Sequence, residues 1–111
     1  VRAEPVPDDA PAAAIHQAMV LRELRGSAHL AAVAAVGLRT EIAHAIKRPN
    51  DVELFGWKGD DTPQPTDVDR AKLDRAEELT DEMLVAPFSV LAASQSAALV
   101  AGTDALHAAL A

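Results

Sequence analysis

The stretch LRELRGSAHLAAV, residues 21 to 33, gathers the side chains of this chain most suited to chemistry. Arg22, Arg25 and His29 recur at helical spacing, so on a continuous helix they share one face. With a break at Gly26 they would line a helix corner instead. Guanidinium groups beside an imidazole can hold an anion or a small ligand. A plainer reading competes: a buried histidine held by a backbone carbonyl, with the arginines paired to acidic residues further along the chain. Trp57, the single tryptophan, falls in a loop. It either folds back onto the core or, exposed, anchors a partner. Arg22, Arg25, His29 and Trp57 are thus the candidate ligand or interface residues.

Other chemistries find less support. His16, His29, His44 and His107 include no pair at the i, i+4 spacing that two metal ligands on one helix face require. Ser27, Ser89, Ser94 and Ser96 include none in a Gly-x-Ser-x-Gly elbow. GWKGDD lacks the several glycines of a phosphate-cradling loop, and its acidic pair would repel phosphate. Carboxylates crowd residues 67 to 82: Asp67, Asp69, Asp74, Glu77, Glu78, Asp81 and Glu82. A solvated helix face, with Arg70, Lys72 and Arg75 as partners three and four residues away, explains them better than buried acid–base work. No catalytic residue, metal or cofactor is expected, and the chain reads as non-enzymatic.

Composition bounds the scaffold for these residues. The 111 residues fit one core, and hydrophobic residues make up 50% of them. Alanine is the commonest of these, while aromatics are only 3%. Alanine favours helix and adds little buried area, so the expectation is an all-α chain with a thin core that a partner could complete. The net charge of −7 opposes nonspecific binding to phosphate backbones or anionic lipid. The average hides a split. Residues 22 to 48 carry Arg22, Arg25, Arg39, Lys47 and Arg48 against Glu23 and Glu41, whereas the chain from Asp51 onward is acidic. There are 0 cysteines, which excludes disulfides and thiolate metal sites and fits a reducing cytoplasm. No apolar run reaches the ~18 residues of a membrane span, and no signal-peptide pattern opens the chain. It begins with Val1 rather than Met, which fits a fragment of a longer protein, a processed product or an alternative start.

Punctuation then divides the chain. Residues 1 to 8 read as a flexible lead-in containing Pro5 and Pro7, and residues 9 to 111 as a single all-α domain. Asp9 caps a first helix over about 10 to 25, with Pro11 in its first turn and Ile15, Ala18 and Met19 on its apolar face. Gly26-Ser27 ends it, Ser27 caps a second helix over 28 to 36, and Gly37 closes that one. A continuous helix across Gly26, at ~1 kcal/mol against alanine, is the rival reading. Thr40 opens a helix that runs to Arg48 before Pro49, with Lys47 and Arg48 where the helix dipole favours cations. Asn50 and Glu53, at capping-box spacing, open a short helix over 51 to 56. Residues 56 to 66 form a loop. Thr66 and Asp69 cap a long helix from Asp67 to Val85 with a seam of Val68, Ala71, Ala76, Leu79 and Met83, widened by Leu73, Thr80 and Leu84. Pro87 breaks it. Residues 88 to 111 form a last helical section, interrupted near Ser94 and anchored by Leu91, Leu99, Leu106 and Leu110.

Three segments together, VLRELRGSAHLAAVAAVGL (20 to 38), AIKRPNDVELFGW (45 to 57) and TDVDRAKLDRAEELTDEMLVAPFSVL (66 to 91), resemble the C-terminal part of an actinobacterial helix-turn-helix family of MarR-like proteins whose function is unknown. The most specific element is Leu-Arg-Glu…Arg-Gly-x-x-His-x-Ala at residues 21 to 31, with Ser27 where an acidic residue is common. The resemblance implies an all-α, partly winged-helix-like unit of about five to seven helices and a further N-terminal helical half. It also marks a departure. Where relatives carry another helix and a wing, GWKGDDTPQPT runs almost directly into the long helix, which puts DNA reading in doubt.

The leading expectation is a non-enzymatic helix-turn-helix-related module in transcriptional regulation, with Arg39, Lys47 and Arg48 contacting the phosphates of duplex DNA. The alternative is a helical module that binds a small-molecule ligand or a second copy of itself, as a homodimer, and no DNA.

Overall fold

The computed structural model describes residues 4–111. Four α-helices follow one another among them: α1 (Ala10–Ala35), α2 (Thr40–Lys47), α3 (Asp67–Phe88) and α4 (Ala93–Leu110). Two 3-10 segments, Pro49–Phe55 and Gly59–Asp61, lie between α2 and α3. No strand occurs among the described residues. The expected lead-in falls partly on residues 1 to 3, outside the described part, and residues 4 to 7 carry no regular structure.

Local chemistry explains most boundaries. The Asp9 carboxylate accepts from the Ala12 backbone N–H at 2.9 Å, and a proline in the first turn wastes no donor. At the other end of α1, Gly37 takes φ +64°, the left-handed region that favours glycine. Its N–H donates to the Ala34 carbonyl at 3.1 Å, and the Leu38 N–H donates to the Val33 carbonyl at 3.1 Å. Those two bonds define a Schellman closure, and its hydrophobic partners, Val33 and Leu38, are both buried. Thr66 and Asp69 form the expected reciprocal cap of α3.

Three expectations need correction. First, α1 does not break at Gly26-Ser27. It runs on to Ala35, so Ser27 is a helix-interior residue and caps nothing. The glycine there has no crowding and no positive φ, and the small helix-propensity penalty is outweighed by packing on either side. Second, the segment after Pro49 is a 3-10 helix whose start has no side-chain cap, so Asn50 and Glu53 do not form a capping box. Third, α3 passes through Pro87 to end at Phe88. A proline in the last turn costs one backbone hydrogen bond, not a helix. The chain turns at Ser89, whose hydroxyl donates to the Ala86 carbonyl at 2.8 Å.

The core is small and lies where α1, α2 and α3 meet. Ala32, Val33, Leu38, Ala43, Leu73 and Ala76 are buried together, with Val36, Ile42, Ile46 and Leu79 packed around them. The C-terminal half of α1 supplies this core. Its N-terminal half does not, because Ile15 and Met19 are about half exposed, contrary to the expected stripe. Val68 and Met83 of the α3 seam are exposed as well. Helix α4 contributes no buried residue, and Leu99 and Leu110 among its expected anchors are exposed. At its start the Gln95 side chain accepts from the Ala92 N–H at 2.8 Å, half of a capping box, since an alanine has no acceptor to return.

Candidate functional site

Because α1 is continuous, Arg25 and His29 lie one turn apart and both face α3. Arg25 donates to Glu77 Oε2 at 2.9 Å. Lys47, at the last turn of α2, reaches Glu77 Oε1 at 2.7 Å. His29 Nδ1 lies 3.1 Å from the Thr80 hydroxyl and 3.9 Å from Glu77 Oε2. The Thr80 hydroxyl donates to the Ala76 carbonyl at 2.7 Å, so it receives its bond from His29, and Nδ1 is the protonated nitrogen. Thr80 is completely buried. Residues of three helices thus converge on one carboxylate and one hydroxyl.

The electrostatics follow. The hydrogen bond from Lys47 holds the Glu77 carboxyl below the usual carboxylate range. Partial desolvation opposes this, and the charges of Lys47, His29 and Arg25 add to the lowering. The paired reading of Arg25 is therefore the one realised. His29 is held by a threonine hydroxyl and not by the expected backbone carbonyl. Glu77, expected on a solvated face, is instead the hub, and Thr80 was expected only to widen a seam. A threonine four residues beyond an alanine in an apolar seam is the one sequence signal for such a hydroxyl.

Arg22 stays outside the cluster. It pairs with its neighbour Glu23 at 2.6 Å on the exposed side of α1. Arg39, just before α2, pairs with Glu41. Arg48 lies 3.7 Å from Asp51, too far for a hydrogen bond. Trp57 folds back: Gly56, at φ +86°, reverses the chain, and the indole stacks on Phe55 with ring centroids 5.5 Å apart. Both rings meet His44 of α2 edge to face, Phe55 at 4.5 Å and Trp57 at 5.9 Å. The His44 Nε2 is buried with no hydrogen-bond partner among the described residues. Leaving a buried polar atom unpaired costs about 1–3 kcal/mol.

Helix α1, a four-residue connection containing Gly37, and α2 follow one another in the order helix, turn, helix. A model of a helix-turn-helix family matches residues 1–53. The match covers just under half the chain and takes in α1, the turn, α2 and most of the first 3-10 segment. No curated protein matches the chain, and no solved structure does. In this helix-turn-helix the second helix is boxed in. Ala43 and Ala45 are buried, Ile42, His44 and Ile46 are half-buried, and only Thr40 and Lys47 are exposed. Such a helix can offer cations at its ends but no row of side chains to a groove. No cluster of three or more metal-ligating side chains occurs among the described residues, and no helix there is long and apolar enough to cross a membrane.

Proposed function

We propose that this chain is a non-enzymatic helix-turn-helix module of transcriptional regulation that meets duplex DNA through its phosphates and does not read base edges. The observation that carries this is the match of residues 1–53 to a helix-turn-helix family, laid over a helix-turn-helix with cations at both ends of its second helix. The resemblance to actinobacterial MarR-like proteins supports the same reading. Arg39 stands at one end of α2 and Lys47 and Arg48 at the other, about 12 Å apart by helical rise. Their side chains are mostly exposed. Exposed ion pairs contribute only about 0–1 kcal/mol, so phosphate can displace Glu41, Glu77 and Asp51. Three phosphate contacts predict weak binding whose log K falls with log salt at a slope of roughly −2 to −3. Fluorescence anisotropy with a labelled duplex tests it. Affinity should survive scrambling of the duplex sequence and vanish in the triple variant Arg39→Gln, Lys47→Gln, Arg48→Gln. No binding at low salt overturns the proposal.

A second reading, association through helix faces, has its own support. The accessible surface is 8314 Å², where a monomeric protein of this mass exposes about 5,800 Å². Much of the excess is apolar: Ile15, Met19, Val20 and Leu24 on α1, and Leu99 and Val100 on α4. A homodimer, or an N-terminal helical half, would cover these faces.

A further inference from the structure

A pocket of about 230 Å³ opens between the C-terminal half of α1 and the outer side of α2. Leu30, Val33 and Ala43 give it an apolar wall, and His29, His44, Lys47 and Arg48 contribute the polar part. We propose that this pocket binds a short-chain aliphatic carboxylate, its tail against Leu30, Val33 and Ala43 and its anion between Lys47 and Arg48.

The chemistry is set by which groups are already committed. His29 spends its Nδ1–H on Thr80, so the ring is fixed in orientation and has no further donor to offer an anion. Lys47 spends one of its three donors on Glu77. Among the described residues Arg48 has only the loose 3.7 Å approach of Asp51, so its guanidinium can turn to a carboxylate, for which its paired donors are shaped. The His44 ring forms part of the wall, while its Nε2 is closed off from the pocket and the ring packs against Phe55 and Trp57. Two cations beside an apolar wall select an anion that has a hydrocarbon end. The volume lies below the roughly 300–1,000 Å³ of drug-sized sites, which limits the ligand to a small one. The inference does not depend on DNA binding, because it concerns the pocket itself. The two meet only in that Lys47 and Arg48 serve both.

The test is titration of the 111-residue chain with isovalerate, followed by backbone amide chemical shifts. Matched titrations use isovaleramide and inorganic phosphate. Isovalerate should move amides of residues 29 to 33 and 40 to 48 in a saturable way. The uncharged amide should bind about fivefold or more weakly, since it forfeits the charge-assisted bonds. Phosphate, without a tail, should also bind more weakly. Arg48→Gln, a change at an exposed residue, should reduce isovalerate affinity about fivefold, while Arg75→Gln on α3 should leave it unchanged. Each variant's circular dichroism should match the parent's. Shifts absent or spread over the whole chain, equal binding of the amide, equal binding of phosphate, or indifference to Arg48→Gln would each overturn the assignment.

Discussion

Glu77 is one carboxylate among seven between residues 67 and 82, and the only one of them given a cation from another helix among the described residues. No pattern in the sequence sets it apart from Glu78, whose partner Arg75 sits on the same helix. The reason is physical: a long-range ion pair depends on where α1 and α2 bring Arg25 and Lys47, and spacing along α3 does not carry that information. Spacing placed Arg22, Arg25 and His29 on one face if the helix ran on through Gly26; it does run on, and Arg25 and His29 meet α3 while Arg22 turns to Glu23. Replacing Glu77 with Gln keeps the shape and removes the charge. With side chains a quarter to a half exposed, the loss at neutral pH should be about 0.5–1 kcal/mol. The sign of its pH dependence is fixed. The Lys47 hydrogen bond lowers the folded-state pKa of Glu77, so the stabilisation is complete above the unfolded carboxylate value near ~4.3. It disappears as pH falls through the lowered folded value. Urea midpoints of the parent and Glu77→Gln should differ at pH 7 and converge as acidification passes the lowered folded-state pKa of Glu77. A difference that stays constant with pH would mean that Glu77 acts through packing and not through charge.

At the scale of elements, Gly26 and Gly37 show why punctuation was only half legible. Both stand between alanine-rich runs, and both suggest an end. Only Gly37 has what ends a helix: a positive φ, two closing hydrogen bonds and buried partners in Val33 and Leu38. Gly26 keeps ordinary helical geometry in open space, because residues 25 and 29 are held to α3 on either side of it. Caps made within four residues, at Asp9 and Thr66, were readable, since the donor and acceptor are neighbours in sequence. The path of the chain through Gly26 was not, since α3 decides it. The same substitution should therefore have opposite effects. Gly26→Ala should stabilise by about 0.5–1 kcal/mol, by helix propensity and lost chain entropy. Gly37→Ala should destabilise by about 1–2 kcal/mol, the cost of forcing a Cβ into the left-handed region. Thermal melts of the two single variants measure both. Destabilisation by Gly26→Ala would mean that the glycine is there for a close approach of another molecule.

For the whole molecule, the thin core forecast by an alanine-rich composition has a consequence in shape. The radius of gyration is 17.3 Å, against about 13 Å for a compact domain of a hundred residues, and the long axis reaches 51 Å. Buried residues cluster in one region, around the C-terminal half of α1, while α4 and the first half of α1 line an open apolar groove between Ala18 and Leu21 on one side and Leu99 and Leu106 on the other. Local stability follows burial, so the amides of residues 32 to 45 and 73 to 80 should exchange with the protection of global unfolding. Those of α4 and of residues 12 to 24 should exchange faster by an order of magnitude or more. The comparison becomes decisive when repeated at two protein concentrations. If a second copy covers the groove, protection of α4 should rise with concentration while that of the core stays level, because mass action stabilises only the associated form. Fast exchange at every concentration would remove self-association and leave the apolar faces to another partner. Strong, concentration-independent protection of α4 would mean that it packs on its own chain more tightly than its exposed leucines allow.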